Sequence, residues 1–458
     1  VKGGEALTSL LHPNFFISTL DLCNNCLGDD GAQFIAQALI IPEKDLFGDD
    51  DVINPDAAEN ASMYSQNTQE QSVAKSQPEL DDDEALIKNC TITYLDLSNN
   101  DIGSETLQAL SFVLKSSQTL INLKIDCAFG AKGNDISHLF TNCRVFNKTL
   151  RRISLADTRL AVNNFDNAMR IYQGGSIIEH INFSRCDLKA VHMKRSISKI
   201  SLSRYLTHLD LSGNPITDDG ASFLVSAISG TVDKYGNTNP PLKHLDISCC
   251  NITMVSAIKI VNVAETMHCL QSLDFADNNF SSGEWKDFAS SLRSTQLVRL
   301  NLSRCRLGTA CVGHILEALA DCTPGNCGHT MKVLLLSQND VHDSIDASLC
   351  KFLSNNRILE VLDLGFNKIS DAGVLQSKEA LVVKSSSPLE SKLTELHVNM
   401  IGNRCNQHAL ELPGKARSKF TMRYGKEMYD STMQHISVHA ASDYLQRRKA
   451  NAKLNVEN

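Results

Sequence analysis

The chain has 458 residues, 42% of them apolar, with a formal net charge of −8 and a pI near 6.0. That length suggests several globular domains unless the sequence repeats, and that charge gives no general attraction to nucleic acid or to an anionic membrane. No run approaches the roughly eighteen apolar residues of a membrane span, Val1 to Glu5 make no signal peptide, and the 15 cysteines follow no disulfide-framework spacing, which favours a reducing, cytoplasmic compartment.

One string returns in chain order. It is clearest in Leu206-Thr207-His208-Leu209-Asp210-Leu211 and recurs around Leu20, Leu95, Leu245, Leu273 and Leu362, with weaker copies at Leu123, Ile153, Ile181, Leu300, Leu334 and Leu396. Twelve units result, and the steps Leu95 to Leu123, Ile153 to Ile181, Ile181 to Leu209, Leu245 to Leu273 and Leu334 to Leu362 are each 28 residues. The alternating stretch of each unit predicts a short strand. The later stretch, such as Asp219 to Ile228, has helical spacing after an Asp-Gly start. No unit can bury both apolar faces alone, so neighbours must stack. The expected fold is α/β, a curved horseshoe-shaped solenoid with a parallel sheet on the concave face and helices on the convex face. Gly3, Leu7 and Leu11 repeat the spacing of Gly220, Leu224 and Ile228, so the chain is expected to begin inside a partial repeat, with further sequence upstream.

Five residues after the central residue of ten of the twelve units stands a short polar or thiol side chain: Asn25, Asn100 and Thr158, then Cys186, Asn214, Cys250, Asn278, Cys305 and Asn339 in strict alternation, then Asn367. The chain leaves the strand there, and such a side chain can bond turn amides that would otherwise be stranded. The 28-residue unit, the Leu-Asp-Leu strand and the Cys/Asn alternation resemble the ribonuclease-inhibitor-like class of leucine-rich repeats, over residues 1 to 403. That class includes ribonuclease inhibitor, the GTPase-activating protein of Ran, tropomodulins, the sensor ends of NOD-like receptors and axonemal proteins. The resemblance implies an intracellular protein-binding role and names no partner.

Two stretches depart from the period. Leu20 to Leu95 spans 75 residues, an insertion at about 43–89 in which Glu43 to Glu84 carry thirteen acidic residues against Lys44 and Lys75. It reads as a solvated, disordered loop or as an arm for a basic partner. From residue 404 to 458 the pattern stops and basic residues prevail. An extended arm from Lys415 to Tyr424 is expected there, then an amphipathic helix at about 426–450 that either caps the array or reaches a partner. Arg447 and Arg448 stand in a basic cluster that no repeat position explains.

The positions flanking each central Leu face the inner wall. One column holds Asp21, Asp96, Asp210, Asp246, Asp274 and Asp363, continuing to His397 in the last unit. It could receive a basic partner, or be a solvated column common to the repeat. The other column sets His180, His208 and His244 in consecutive units about 4.8 Å apart, where they could contact a partner, sense pH or, with convergent geometry, bind a metal. Cys23-x-x-Cys26 and the Cys322/Cys327 pair lack the second half of a zinc site. The sequons at Asn182 and Asn301 fall in predicted strands. Phosphate loops, nucleophile elbows and His-Glu-x-x-His helices are absent, so no catalytic, cofactor or metal residue is assigned.

The leading expectation is a non-enzymatic protein-interaction scaffold in a cytoplasmic, cytoskeletal or axonemal assembly, with protein partners on the concave wall and on the tail. Alternatives are a GTPase-activating protein like that of Ran, acting through Arg152, Arg299 or Arg304, and the sensor end of a larger receptor.

Overall fold

The computed structural model describes residues 2–11, 16–40, 91–128, 136, 139–140, 143, 147–174, 176–229, 240–321, 327–385, 396–406, 410–412 and 420–423. They fall in two compact units, Val1–Ile153 and Ser154–Asn458. The acidic insertion, the helix expected at 426–450, and Arg447 with Arg448 lie outside the described residues.

In the first unit β1 (Thr19–Asp21), β2 (Tyr94–Asp96) and β3 (Asn122–Lys124) run parallel, with Leu20 opposite Leu95 and Leu95 opposite Leu123. The 75-residue interval leaves that register intact, because a loop adds closure entropy only slowly with length. Helices Lys2–Leu11, Gly28–Ala38 and Ser104–Ser116 pack in the same order. The strand β4 (Arg152–Ser154) lies at the boundary of the units.

The second unit continues the scheme with β5 (His180–Asn182), β6 (His208–Asp210), β7 (His244–Asp246), β8 (Ser272–Asp274), β9 (Arg299–Asn301), β10 (Val333–Leu335), β11 (Val361–Asp363), β12 (Leu396–Asn399) and β13 (Phe420–Arg423). Each is parallel to the next, and the central residues from Ile181 to Leu362 stand opposite one another. From β5 to β11 only three residues per strand join the ladder, yet each unit buries a full set of side chains. Leu206, Leu209 and Leu211 are at most 2% exposed, while His208 and Asp210 between them stay half-exposed.

The last repeat corrects the sequence register. Leu362 stands opposite Val398 rather than Leu396, and Asp363 opposite Asn399. The true central residue is therefore Val398, followed by buried Met400, by Gly402 at φ 72° and by Asn403. Asn399, not His397, continues the Asp column; His397 joins the column of His180, His208 and His244. Leu396 misled because it is also apolar and buried, two positions early. The sheet then runs on past residue 403 through β13, which lies inside the stretch expected to be extended.

Neighbouring helices are tied by two devices. A Cβ on Gly220 would stand 2.6 Å from Ile216 Cγ2 and 3.2 Å from Ala190 Cα, so only glycine lets helix Thr217–Ile228 approach helix Ala190–Ser196 this closely. The acids in the first helical turn cap the following helix rather than their own. Asp218 accepts from Thr253 N at 2.9 Å, Thr253 Oγ1 at 2.8 Å and Ser256 Oγ at 2.5 Å, at the start of helix Met254–Thr266. Asp29 likewise accepts from the amides of Gly103, Glu105 and Thr106. Carboxylates there satisfy amides that a helix N-terminus leaves unpaired. Burial raises the pKa of both acids, but these hydrogen bonds outweigh it and hold both below the ordinary carboxylate range.

Candidate functional site

The floor of the inner wall is set by the turn that ends each strand. Four residues after the central one, from Asn24 to Gly402, the backbone turns left-handed, and the next side chain is buried in every repeat but the first, where Asn25 is exposed. Asn214 shows what that side chain does. Its Oδ1 accepts from Cys186 N at 2.8 Å and Leu188 N at 2.9 Å, and its Nδ2 donates to Phe183 O and Leu211 O, both at 2.8 Å. Asn278 repeats all four bonds. The cysteines act differently: Cys186, Cys250 and Cys305 each donate a thiol to a carbonyl one unit back, at 3.1 to 3.3 Å. Burial pushes the Cys250 and Cys305 thiols well above their usual range, so they stay protonated as donors.

On this floor the three histidines form one stack. The rings of His180 and His208 lie 3.6 Å apart at 11°, and those of His208 and His244 lie 4.0 Å apart at 17°. Parallel strands in register place them face to face; their nitrogens do not converge on a common point. Among the described residues no group of three or more His, Cys, Asp or Glu is arranged to hold a metal ion. Thr207 Oγ1 lies 2.8 Å from His208 Nδ1. Burial, and after it Arg299 and Lys243, hold His244 below the ordinary imidazole pKa.

The structure gives the Asp column a structural task. Each carboxylate accepts the amide two residues on and so ends its own strand: Ser98 N to Asp96, Ser212 N to Asp210, Ser248 N to Asp246 and Ala276 N to Asp274, at 2.9 to 3.0 Å. Asn182 and Asn301 do the same for Ser184 and Ser303, which explains why amide and acid interchange here. Asp96, in the first unit, is 6% exposed and also accepts from Tyr94 OH at 3.1 Å, with Lys124 Nζ at 3.8 Å. Asp210, Asp246 and Asp274 remain half-exposed on adjacent strands.

Arg299 faces Asp274 at 3.5 Å, and Arg304 grips Asp277 through two nitrogens. Further along, the wall changes character: Val333, Leu335 and Val361 form a buried apolar cluster, and burial raises the pKa of Asp363 against the bonds from Gly365 N and Asn399. Sequence reasoning missed that cluster. Its signal was the uninterrupted apolar run Val333-Leu334-Leu335-Leu336, which leaves no polar residue at either wall position of β10. No helix among the described residues is long and apolar enough to cross a membrane.

The Leucine Rich repeat family profile matches residues 14–36, 88–111, 202–225, 238–261 and 355–375. The human NACHT, LRR and PYD domains-containing protein 14 is 25% identical over 372 residues, covering 78% of this chain and 30% of that protein. Mouse ribonuclease inhibitor is 25% identical over 205 residues, covering 43% of this chain and 41% of the inhibitor. The chain thus spans under half the length of these relatives. Among solved structures, an internalin from Listeria monocytogenes aligns over 74% of this chain and 82% of that one, at 15% identity and a TM-score of 0.40.

Proposed function

We propose, on the premise that the chain carries leucine-rich repeats of the ribonuclease-inhibitor-like class, that it is a non-enzymatic scaffold holding a partner protein against the inner wall of β5 to β8. The row of half-exposed His and Asp side chains on that wall carries this reading. The backbone beneath is bonded unit by unit, so the side chains are presented already ordered and a partner loses little entropy in meeting them. A cytoplasmic site suits buried thiols used as hydrogen-bond donors, which oxidation would remove. Membership of a cytoskeletal or axonemal assembly, and a contact through Arg447 and Arg448, extend the same proposal.

The test is photo-crosslinking from position 208 in native extract, compared with the combined His180→Ala, His208→Ala and His244→Ala variant in affinity capture. Partners kept by Lys286→Ala, on outer helix Trp285–Arg293, and lost by the triple variant support the wall. Equal recovery by all three proteins sinks it. A second reading, the sensor end of a larger receptor, is favoured by the match to the NACHT, LRR and PYD domains-containing protein, of which this chain spans 30%. Sequencing the full transcript decides it: an upstream nucleotide-binding domain supports the receptor, and an open reading frame without one excludes it.

A further inference from the structure

Where the strands of the second unit end, the turns after β7 to β10 enclose an open polar cleft of about 710 Å³. Its lining includes the amides of Asn251, Asn279 and Gln338, the acids Asp277 and Asp340, and the guanidinium groups of Arg304 and Arg306. The cleft spans both turn shapes of the repeat. Asn251 and Arg306 take left-handed φ values of 55° and 57°, whereas Asn279, at the equivalent position of the unit between them, does not and instead bridges to Thr253.

The lining itself is neutral, two acids against two arginines, but its ion pairs are unevenly shared. Asp277 is gripped by Arg304, and Asp340 by Lys368 at 2.8 Å, so each acid already has its cation. Arg306 is exposed and makes no hydrogen bond or ion pair among the described residues. Because Lys368 reaches in from outside the lining to take Asp340, one guanidinium is left without an ion pair, a local feature on a protein of net charge −8. Side-chain amides both donate and accept, which matches a peptide backbone, and a guanidinium fork matches a carboxylate.

We propose that this cleft docks an extended acidic segment of a partner protein, with a partner carboxylate on Arg306 and the partner backbone along Asn251, Asn279 and Gln338. The site is on the turn edge rather than the inner wall, so either reading can fail without the other.

The probe is a fluorescein-labelled peptide of alternating Glu and Ser, with its Gln counterpart as control, titrated by anisotropy against the full chain. Binding of the Glu peptide that weakens as salt rises is expected, because exposed charge contacts are screened. Arg306→Glu should weaken it by about tenfold or more, and Lys286→Glu should not. Arg306→Gly should lose binding with an unchanged melting temperature, since glycine adopts that φ without strain. Equal binding of the Gln peptide, or full binding by Arg306→Glu, would overturn the proposal. So would capture of a phosphoserine peptide without capture of the Glu peptide.

Discussion

Units that place Asn at the strand exit and units that place Cys there solve one problem in two ways. Before an Asn unit, the preceding turn gives its amides to the Asn side chain, as Cys250 N and Ile252 N do to Asn278. Before a Cys unit, the preceding turn gives an amide only to the Cys backbone carbonyl, Leu160 N to Cys186, Thr217 N to Cys250 and Phe280 N to Cys305, a bond that Gly308 N also makes to Asn339. The thiol then takes one carbonyl. The turns differ to match. Asp187, Asn251 and Arg306, each ahead of an Asn unit, are left-handed, while Arg159, Pro215 and Asn279, ahead of Cys units, are not. Proline is tolerated at 215 because its fixed φ is never asked to turn positive. Alternation in the sequence is thus alternation between two turn shapes, and Asn carries the larger share of bonds.

The largest break in that scheme comes from beneath it. Leu209 is 2% exposed under both kinds of turn, and Leu209→Asp should cost several kcal/mol by burying an unpaired charge, on the order of 3–5 kcal/mol. Urea unfolding measures it, and wild-type stability would refute the register. Next, Asn278→Ala strands four buried backbone groups and should cost about 3 kcal/mol or more, whereas Cys250→Ala gives up one weak donor and should cost about 1 kcal/mol. Equal losses would dissolve the distinction between the two units.

Acid should act on both kinds of unit through the helix caps. Asp29 and Asp218 are held below their unfolded pKa, so their contribution is whole above about pH 4 and fades as the pH falls further. His244, held neutral, contributes in full above about pH 6.5 and loses that contribution below it. Melting followed from about pH 8 to about pH 3 should therefore decline first near the histidine range and again in the carboxylate range. Asp218→Asn should flatten the second decline, and an unaltered profile would count against the caps. The smallest effect is Asp210→Ala, which removes one strand-ending bond to Ser212 N and should cost about 1 kcal/mol; a neutral change would return Asp210 to the solvent.

The repeat, its strands and the inward Asn and Cys positions were legible because they depend on spacing alone. The last register was not, since Leu396 and Val398 are both apolar and only pairing with β11 chooses between them. The Asp column was legible as a column but not as a set of strand caps, because the bonded amides belong to the turn.

The sequence by itself determined the 28-residue unit and therefore the parallel stack, because the apolar period leaves a single unit with faces it cannot bury. Only the tertiary structure decided that the His rings stack, that Asp218 caps a helix 35 residues on, and that Arg306 is left over when its neighbours pair. Each depends on side-chain distances across units, where a shift of about one or two ångströms makes or breaks a hydrogen bond, and a one-dimensional period does not carry that distance.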